Sequence, residues 1–194
     1  MDYGEQFWKW FNENEGELFD FEVDKERIFD RLASQLRKVD PNLTFEFGPK
    51  QAGKREFIVS AGGVKRAFAA VTSLIAKAPN LNRWRITGFR PRRNPPNIVK
   101  FAGKQVDPRD VQFSLLDDGK KAGIYLFIPK FRDTDPDLKQ IGYLLLDDAL
   151  GEYDVESRVA LIKMLPPEAP TEGIRYPLVE LPTRFDELMR QLGA

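Results

Sequence analysis

The chain has 194 residues, 30 basic and 30 acidic side chains, no cysteine and no histidine. Zero net charge argues against a general nucleic-acid binder or polyanion mimic, and the missing cysteines exclude disulfides, thiolate nucleophiles and Cys-based metal sites. The missing histidines remove the commonest general base near neutral pH, the Ser-His-Asp and Cys-His arrangements and the usual zinc ligand, so any catalysis must run on carboxylates, Lys, Arg, Tyr, Ser or Thr.

Taken in chain order, a first helix is predicted from Tyr3 to Asn14, with Tyr3, Phe7, Trp10, Phe11 and Leu18 on one broad apolar stripe and Trp8 at its edge. Asp24 reads as the N-cap of a second helix, with Val23 and Ile28 as a hydrophobic staple and Ile28, Leu32, Leu36 and Val39 facing inward until Pro41. The alternating Leu43–Phe47 run and Glu56–Ser60 predict a β-hairpin. After Gly62 and Gly63, Val64, Phe68, Val71 and Ile75 recur at helical spacing. A meander is expected next, with strands near Arg83–Phe89, Ile98–Phe101, Val111–Leu116 and Gly123–Ile128. Asp118-Gly119 supplies a hairpin turn, and the unbroken apolar run Ile124–Ile128 marks a central strand. A helix is predicted over Asp135–Leu150, a strand over Val155–Leu165, a proline-rich connection over Pro166–Pro182, and a last helix capped by Thr183 and running to Leu192.

Strands cluster in the middle of the chain instead of alternating with helices. The expected class is therefore α+β: one domain over residues 1–194, with a mainly antiparallel or mixed central sheet, helices mostly on one face, and helices at both termini. The N-terminus lacks the basic and apolar regions of a secretory signal, and no run approaches the length of a transmembrane helix, so the cytoplasm is the expected address.

Charge is unevenly spread. Met1 to Asp30 holds ten acids against three bases, a net of −7, whereas Arg83 to Arg109 holds eight bases against one acid, a net of +7. The arginines Arg83, Arg85, Arg90, Arg92 and Arg93 are the candidate anion site, since guanidinium groups bind phosphate through paired hydrogen bonds. On a strand, Arg83 and Arg85 share one face while Trp84 and Ile86 take the other. The alternative is a solvated face whose arginines pair with the acidic segments. Asp147, Asp148, Glu152 and Asp154 are the candidate Mg²⁺ or Ca²⁺ ligands, against the plainer reading of a helix end and its turn at Gly151. Ser60-Ala61-Gly62-Gly63 before a helix could hold an anion on backbone amides, but lacks the glycine spacing of a P-loop or dinucleotide fingerprint. Phe7-Trp8-Lys9-Trp10-Phe11 is core on the plain reading; on the sharper one Trp8 anchors a protein partner or a second copy.

The opening aromatic-acidic segment, together with Leu43-Thr44-Phe45-Glu46-Phe47-Gly48, Phe89-Arg90-Pro91-Arg92-Arg93 and Leu146-Asp147-Asp148 through Gly151-Glu152-Tyr153-Asp154, resembles a family of uncharacterised bacterial proteins. The resemblance implies a bacterial, cytosolic protein and carries no catalytic residue. The leading functional expectation is a non-enzymatic protein-interaction or accessory module, of immunity type among the options, with no cofactor. The runner-up is a binding protein or metal-assisted enzyme for a phosphorylated small molecule or nucleotide, which needs the basic and acidic groups together. Nucleic-acid binding through Arg83–Lys104 is the third reading.

Overall fold

Asp2 starts the first helix, α1 (Tyr3–Glu13), through a reciprocal cap: its Oδ1 accepts from Glu5 N at 3.0 Å, and Glu5 Oε2 accepts from Asp2 N at 3.1 Å. The structure is a computed structural model and describes residues 2–171 and 173–193. These divide into two compact units, 1–90 and 91–194, each with its own cluster of buried apolar side chains. The division falls inside the charged, proline-rich run Arg90–Pro96, the composition of a boundary segment.

In residues 1–90, α1 buries Phe7, Trp8 and Phe11, while Tyr3 stays 62% exposed. The inward stripe is thus rotated from the predicted one, because Trp8 finds a partner for its polar atom: Nε1 donates to Leu74 O at 2.7 Å. A short helix α2 (Glu15–Phe19) leads to α3 (Lys25–Val39), which buries Ile28, Leu32 and Leu36 as the spacing predicts. Asp24 occupies the N-cap position, but its carboxylate accepts from Arg27 Nε instead of capping the helix. Val23 is 88% exposed, so the expected staple does not form.

The predicted hairpin is present as β1 (Thr44–Phe47) antiparallel to β2 (Arg55–Ser60). A 3-10 turn then leads into α4 (Phe68–Ala76) and on to β3 (Trp84–Gly88), which lies parallel to β2 and not in a meander. A helical crossover brings a strand back in the same direction, as a two-residue turn cannot. The order β1-β2-β3 puts Phe57 of β2 among Phe7, Phe11, Phe47 and Trp84. Gly88 is required where α4 crosses β3: a Cβ there would lie 2.9 Å from Ile75 Cγ1.

Residues 91–194 open with a small pair, β4 (Val99–Phe101) and β5 (Lys104–Val106), the second of which the sequence reading missed. The predicted hairpin β6 (Gln112–Asp117) and β7 (Ala122–Phe127) turns at Asp118-Gly119, with Gly119 at φ 82°. Asp135 accepts from the amides of Asp137 and Leu138 and starts α5 (Pro136–Leu150), which Gly151 ends at φ 83°. Residues Val155–Arg158, predicted as strand, belong instead to α6 (Glu152–Arg158), because the chain re-enters a helix directly after Gly151 and becomes extended only at β8 (Val159–Leu165). The two-residue β9 (Tyr176–Pro177) precedes α7 (Leu181–Gln191). That helix begins before the predicted cap Thr183, with Pro182 in its first turn.

The sheet order is β8-β7-β6-β9, with β8 parallel to β7, so β7 is interior as its unbroken apolar run predicts. Ile124, Leu126 and Phe113 face the core shared with α5, α6 and α7. Gly142 sits mid-helix because α5 approaches β8 closely: a Cβ would lie 2.6 Å from Met164 Cε and 3.0 Å from Ile128 Cδ1. The segment after β8 runs across the other face, where Ser114 Oγ donates to Ile174 O at 3.0 Å and Arg175 stacks 3.7 Å over Phe127; Glu172 lies outside the described residues. The class is α+β, with mixed sheets, helices on the core face of each main sheet, and helices at both ends of the chain.

Candidate functional site

The candidate arginines are engaged mostly with carboxylates of their own unit. Strand alternation places Arg83 and Arg85 outward and Trp84 inward, as predicted, and Arg83 forks onto Glu15, with Nε 3.1 Å from Oε1. Arg85 is exposed, and Arg90 pairs with Glu46. In residues 91–194 Arg92 meets three acceptors: Leu150 O at 2.7 Å, Asp154 Oδ2 at 2.7 Å and Asp186 Oδ2 at 2.9 Å. Its hydrogen bond to Asp186, ahead of the one to Asp154, raises the guanidinium pKa above its ordinary value. Arg93 N donates to Asp148 O at 2.6 Å, and Arg93 makes a further interaction. A phosphate at Arg83, Arg90 or Arg92 would have to displace their carboxylates.

The acidic set is likewise used internally. Asp154 holds Arg92 and, at 3.5 Å, Arg158. Asp148 Oδ2 accepts from Asn97 N at 3.0 Å, and Asp147 and Glu152 are buried, each with a polar or charged partner. Arg92 and the acids do come together, as the runner-up requires, but as an ion-pair cluster that fastens the 92–97 loop to the end of α5. Among the described residues no group of three or more carboxylates is arranged to hold a metal ion. Trp8, offered as a partner anchor, is 4% exposed with its Nε1 satisfied, so its ring is core. The Gly62-Gly63 turn closes on itself: Gly62 N donates to Ser60 Oγ at 2.9 Å and Val64 N to Ala61 O at 3.0 Å.

A cleft of about 610 Å³ lies beyond the end of β7 and is lined by Lys104, Asp107, Asp110, Lys130, Arg132 and Asp135, among others. Of these the sequence marked only Lys104 as a binding candidate, within the basic segment; the lining comes from two stretches far apart in the chain, 104–110 and 129–138. Lys104 bonds Asp135 at 2.6 Å and Asp137 at 2.9 Å, which raises its ammonium pKa, with Asp135 the larger cause. Asp135 is lowered by Lys104 first and then by its capping bond from Leu138. Asp107 is lowered to about 2, chiefly by its side-chain bond from Arg109. A general acid or base works best with a pKa drawn toward neutrality, and these three are driven away from it.

Among the described residues β8 forms one edge of its sheet with no strand on its outer side, and its side chains include the exposed Ala160, Leu161 and Lys163. Beside it runs a groove of about 530 Å³ bordered by Ile162, Met164, Tyr143, Lys139 and Arg132. The signal was present in Val159–Leu165, a nearly uninterrupted apolar run with one charge, but an edge cannot be told from an interior strand without the sheet order. Among the described residues no helix is long and apolar enough to cross a membrane.

The ion pairs of residues 1–90 carry a pH dependence. Asp2, Glu17, Asp20, Glu22 and Asp24 are each lowered, first by a side-chain bond from Lys77, Arg27, Lys50, Arg55 and Arg27 respectively. A carboxylate lowered in the folded state stabilises it fully above the ordinary carboxylate range, and that stabilisation is lost as pH falls through the lowered values. All three tryptophans, Trp8, Trp10 and Trp84, lie in residues 1–90, so their fluorescence reports this unit alone. Its melting temperature is expected to be flat from about pH 7 to about pH 5 and to fall below about pH 4.

Comparison with protein-family models, with curated proteins and with solved structures finds no match to this chain.

Proposed function

We propose that this protein is a non-enzymatic protein-interaction module of the cytoplasm, and that its binding element is the open edge of β8. The observation that carries the reading is that edge: seven residues of strand with an unpaired outer side, next to a groove of mixed apolar and charged lining. Only an extended polypeptide supplies the alternating donors and acceptors that such an edge lacks, together with side chains for the groove. Most of the charged groups that would serve a small anionic ligand are held by carboxylates, as Arg83 is by Glu15 and Arg92 by Asp154 and Asp186, and in the cleft Lys104, Asp107 and Asp135 are each held in their charged forms by ion pairs.

The test sets this reading against the runner-up. A thermal-shift panel of nucleotides, sugar phosphates, Mg²⁺, Ca²⁺ and Mn²⁺ is expected to leave melting unchanged. A ligand present at about 100 times its dissociation constant would add about 2.7 kcal/mol. A shift of that size that disappears in Arg92→Ala would overturn the reading in favour of the anion site. Without any ligand, Arg92→Ala is expected to lower the melting temperature of residues 91–194, costing about 1–3 kcal/mol for the loss of partly exposed charged hydrogen bonds.

A further inference from the structure

The turn that carries the chain out of β7 holds a residue ill suited to its position. Ile128 O accepts from Phe131 N at 3.1 Å, closing a four-residue turn with Pro129 second and Lys130 third, at φ 61°. Proline followed by a positive φ is the pattern of a type II turn, whose third place suits glycine or asparagine because a larger side chain crowds the backbone there. Phe131 packs into the core, while Lys130 and Arg132 on either side of it stay exposed and line the cleft of about 610 Å³. Among the described residues neither makes a side-chain hydrogen bond or an ion pair. Most other charges of the cleft are engaged: Lys104 is held by Asp135 and Asp137, and Arg109 forks onto Asp107, with Nε at 3.0 Å and Nη2 at 2.6 Å. Asp110, exposed in the same lining, makes no side-chain hydrogen bond or ion pair among the described residues and interacts only through space with Arg109. Two cations and one carboxylate of the lining are thus left for a ligand. The cleft lies outside the carboxyl end of β7, which runs parallel to β8 through the α5–α6 crossover, and that end of a parallel pair is where α/β sheets take their ligands.

We propose that this cleft binds a free acidic α-amino acid, aspartate or glutamate. Such a molecule carries two carboxylates and one ammonium, the complement of the charges left open. Arg132 and Lys130 receive the carboxylates and Asp110 the ammonium, while Val106 and Leu138, buried side chains of the same lining, meet the methylenes. The carboxylates of Asp107, Asp110 and Asp135 oppose a polyanion, so a nucleotide or sugar phosphate is poorly complemented. A residue within a polypeptide lacks the free ammonium or the second carboxylate, which leaves the free amino acid as the better match. The volume is within the range of small-molecule sites, about 300–1,000 Å³. The site stands whether or not the β8 edge binds a partner.

Titration calorimetry of the full chain with L-aspartate and L-glutamate tests this, with the thermal shift as a second readout. Saturable binding with a dissociation constant of about 1 mM or tighter is expected for at least one of them. The amides asparagine and glutamine, which lack the second carboxylate, and succinate and glutarate, which lack the ammonium, are each expected to bind at least about tenfold more weakly. Lys130→Gly, Arg132→Gln and Asp110→Asn are expected to weaken binding by at least about tenfold each. Lys130→Gly is also expected to melt at the wild-type temperature or above it, because glycine accepts the positive φ, so its loss of binding is not a loss of folding. Neither heat nor a thermal shift from either amino acid at up to about 10 mM overturns the proposal. So does binding left unchanged in any one of the three variants, or a dicarboxylate that binds as tightly as its amino acid.

Discussion

Phe57→Ala is expected to unfold residues 1–90 at physiological temperature or close to it. The ring is fully buried at the centre of the three-stranded sheet, 4.9 Å from Phe11 and 5.3 Å from Phe47 between ring centroids, and within 6.4 Å of Phe7, Trp8, Phe45 and Trp84. Truncating such a side chain removes its transfer free energy and leaves a hole that rigid neighbouring rings cannot close, a cost of about 3–5 kcal/mol. That is a large share of the stability of a unit this size, typically about 5–15 kcal/mol for a whole domain. Tryptophan fluorescence, which reports only residues 1–90, should show the transition at a temperature or denaturant concentration well below wild type. A change smaller than about 1 kcal/mol would mean that the aromatic cluster is not the structural centre of this unit.

The second large effect is at Arg55. Its side chain is 1% exposed, and its guanidinium lies 4.4 Å over the Phe21 ring, bonds Glu22, and reaches Gly48 O only at 3.4 Å. Its Nε has no hydrogen-bond partner. Desolvating a charged group with an unsatisfied donor is costly, and the partner, Glu22, is 57% exposed, so solvent weakens the attraction that offsets that cost. Arg55→Ala should be destabilising by about 2–5 kcal/mol, because it empties the space beneath Phe19 and Phe21. Arg55→Met fills most of that space without a charge and should fall within about 1.5 kcal/mol of wild type, on either side. Chemical denaturation of the two variants separates packing from charge: equal losses in both would assign the contribution to the ion pair instead of to volume.

The sequence was most legible where the information is local. The helices α1, α3 and α5 and the β6–β7 hairpin lie within a residue or two of their predicted positions, because a 3.6-residue apolar period, a capping aspartate or an Asp-Gly turn acts over a few neighbours. Errors arose where a distant partner decides. Trp8, expected at the edge of the stripe, is drawn into the core and Tyr3 is left outside it because Leu74, far along the chain, offers a carbonyl to the indole. Residues Val155–Arg158 are helical although three of the seven residues of α6 are acidic and its apolar pattern is short, since Gly151 redirects the chain and Val155 packs into the core. The candidate site fared in the same way. Arg83, Arg90 and Arg92 were legible as a basic cluster and Asp154 as part of an acidic one, but only folding places Glu15, Glu46, Asp154 and Asp186 on those guanidinium groups.

By itself the sequence determined the α+β class, the position of most elements, the interior place of Ile124–Ile128 and the absence of thiol and imidazole chemistry, since these follow from composition and from periodicity along the chain. Tertiary structure decided the parallel direction of β3, the division into two cores, the pairing of opposite charges within each unit, and the exposure of β8 at a sheet edge. These depend on which remote segments come into contact. A strand's side-chain pattern records which faces are buried, whereas the state of its backbone edges is set entirely by its neighbours in space.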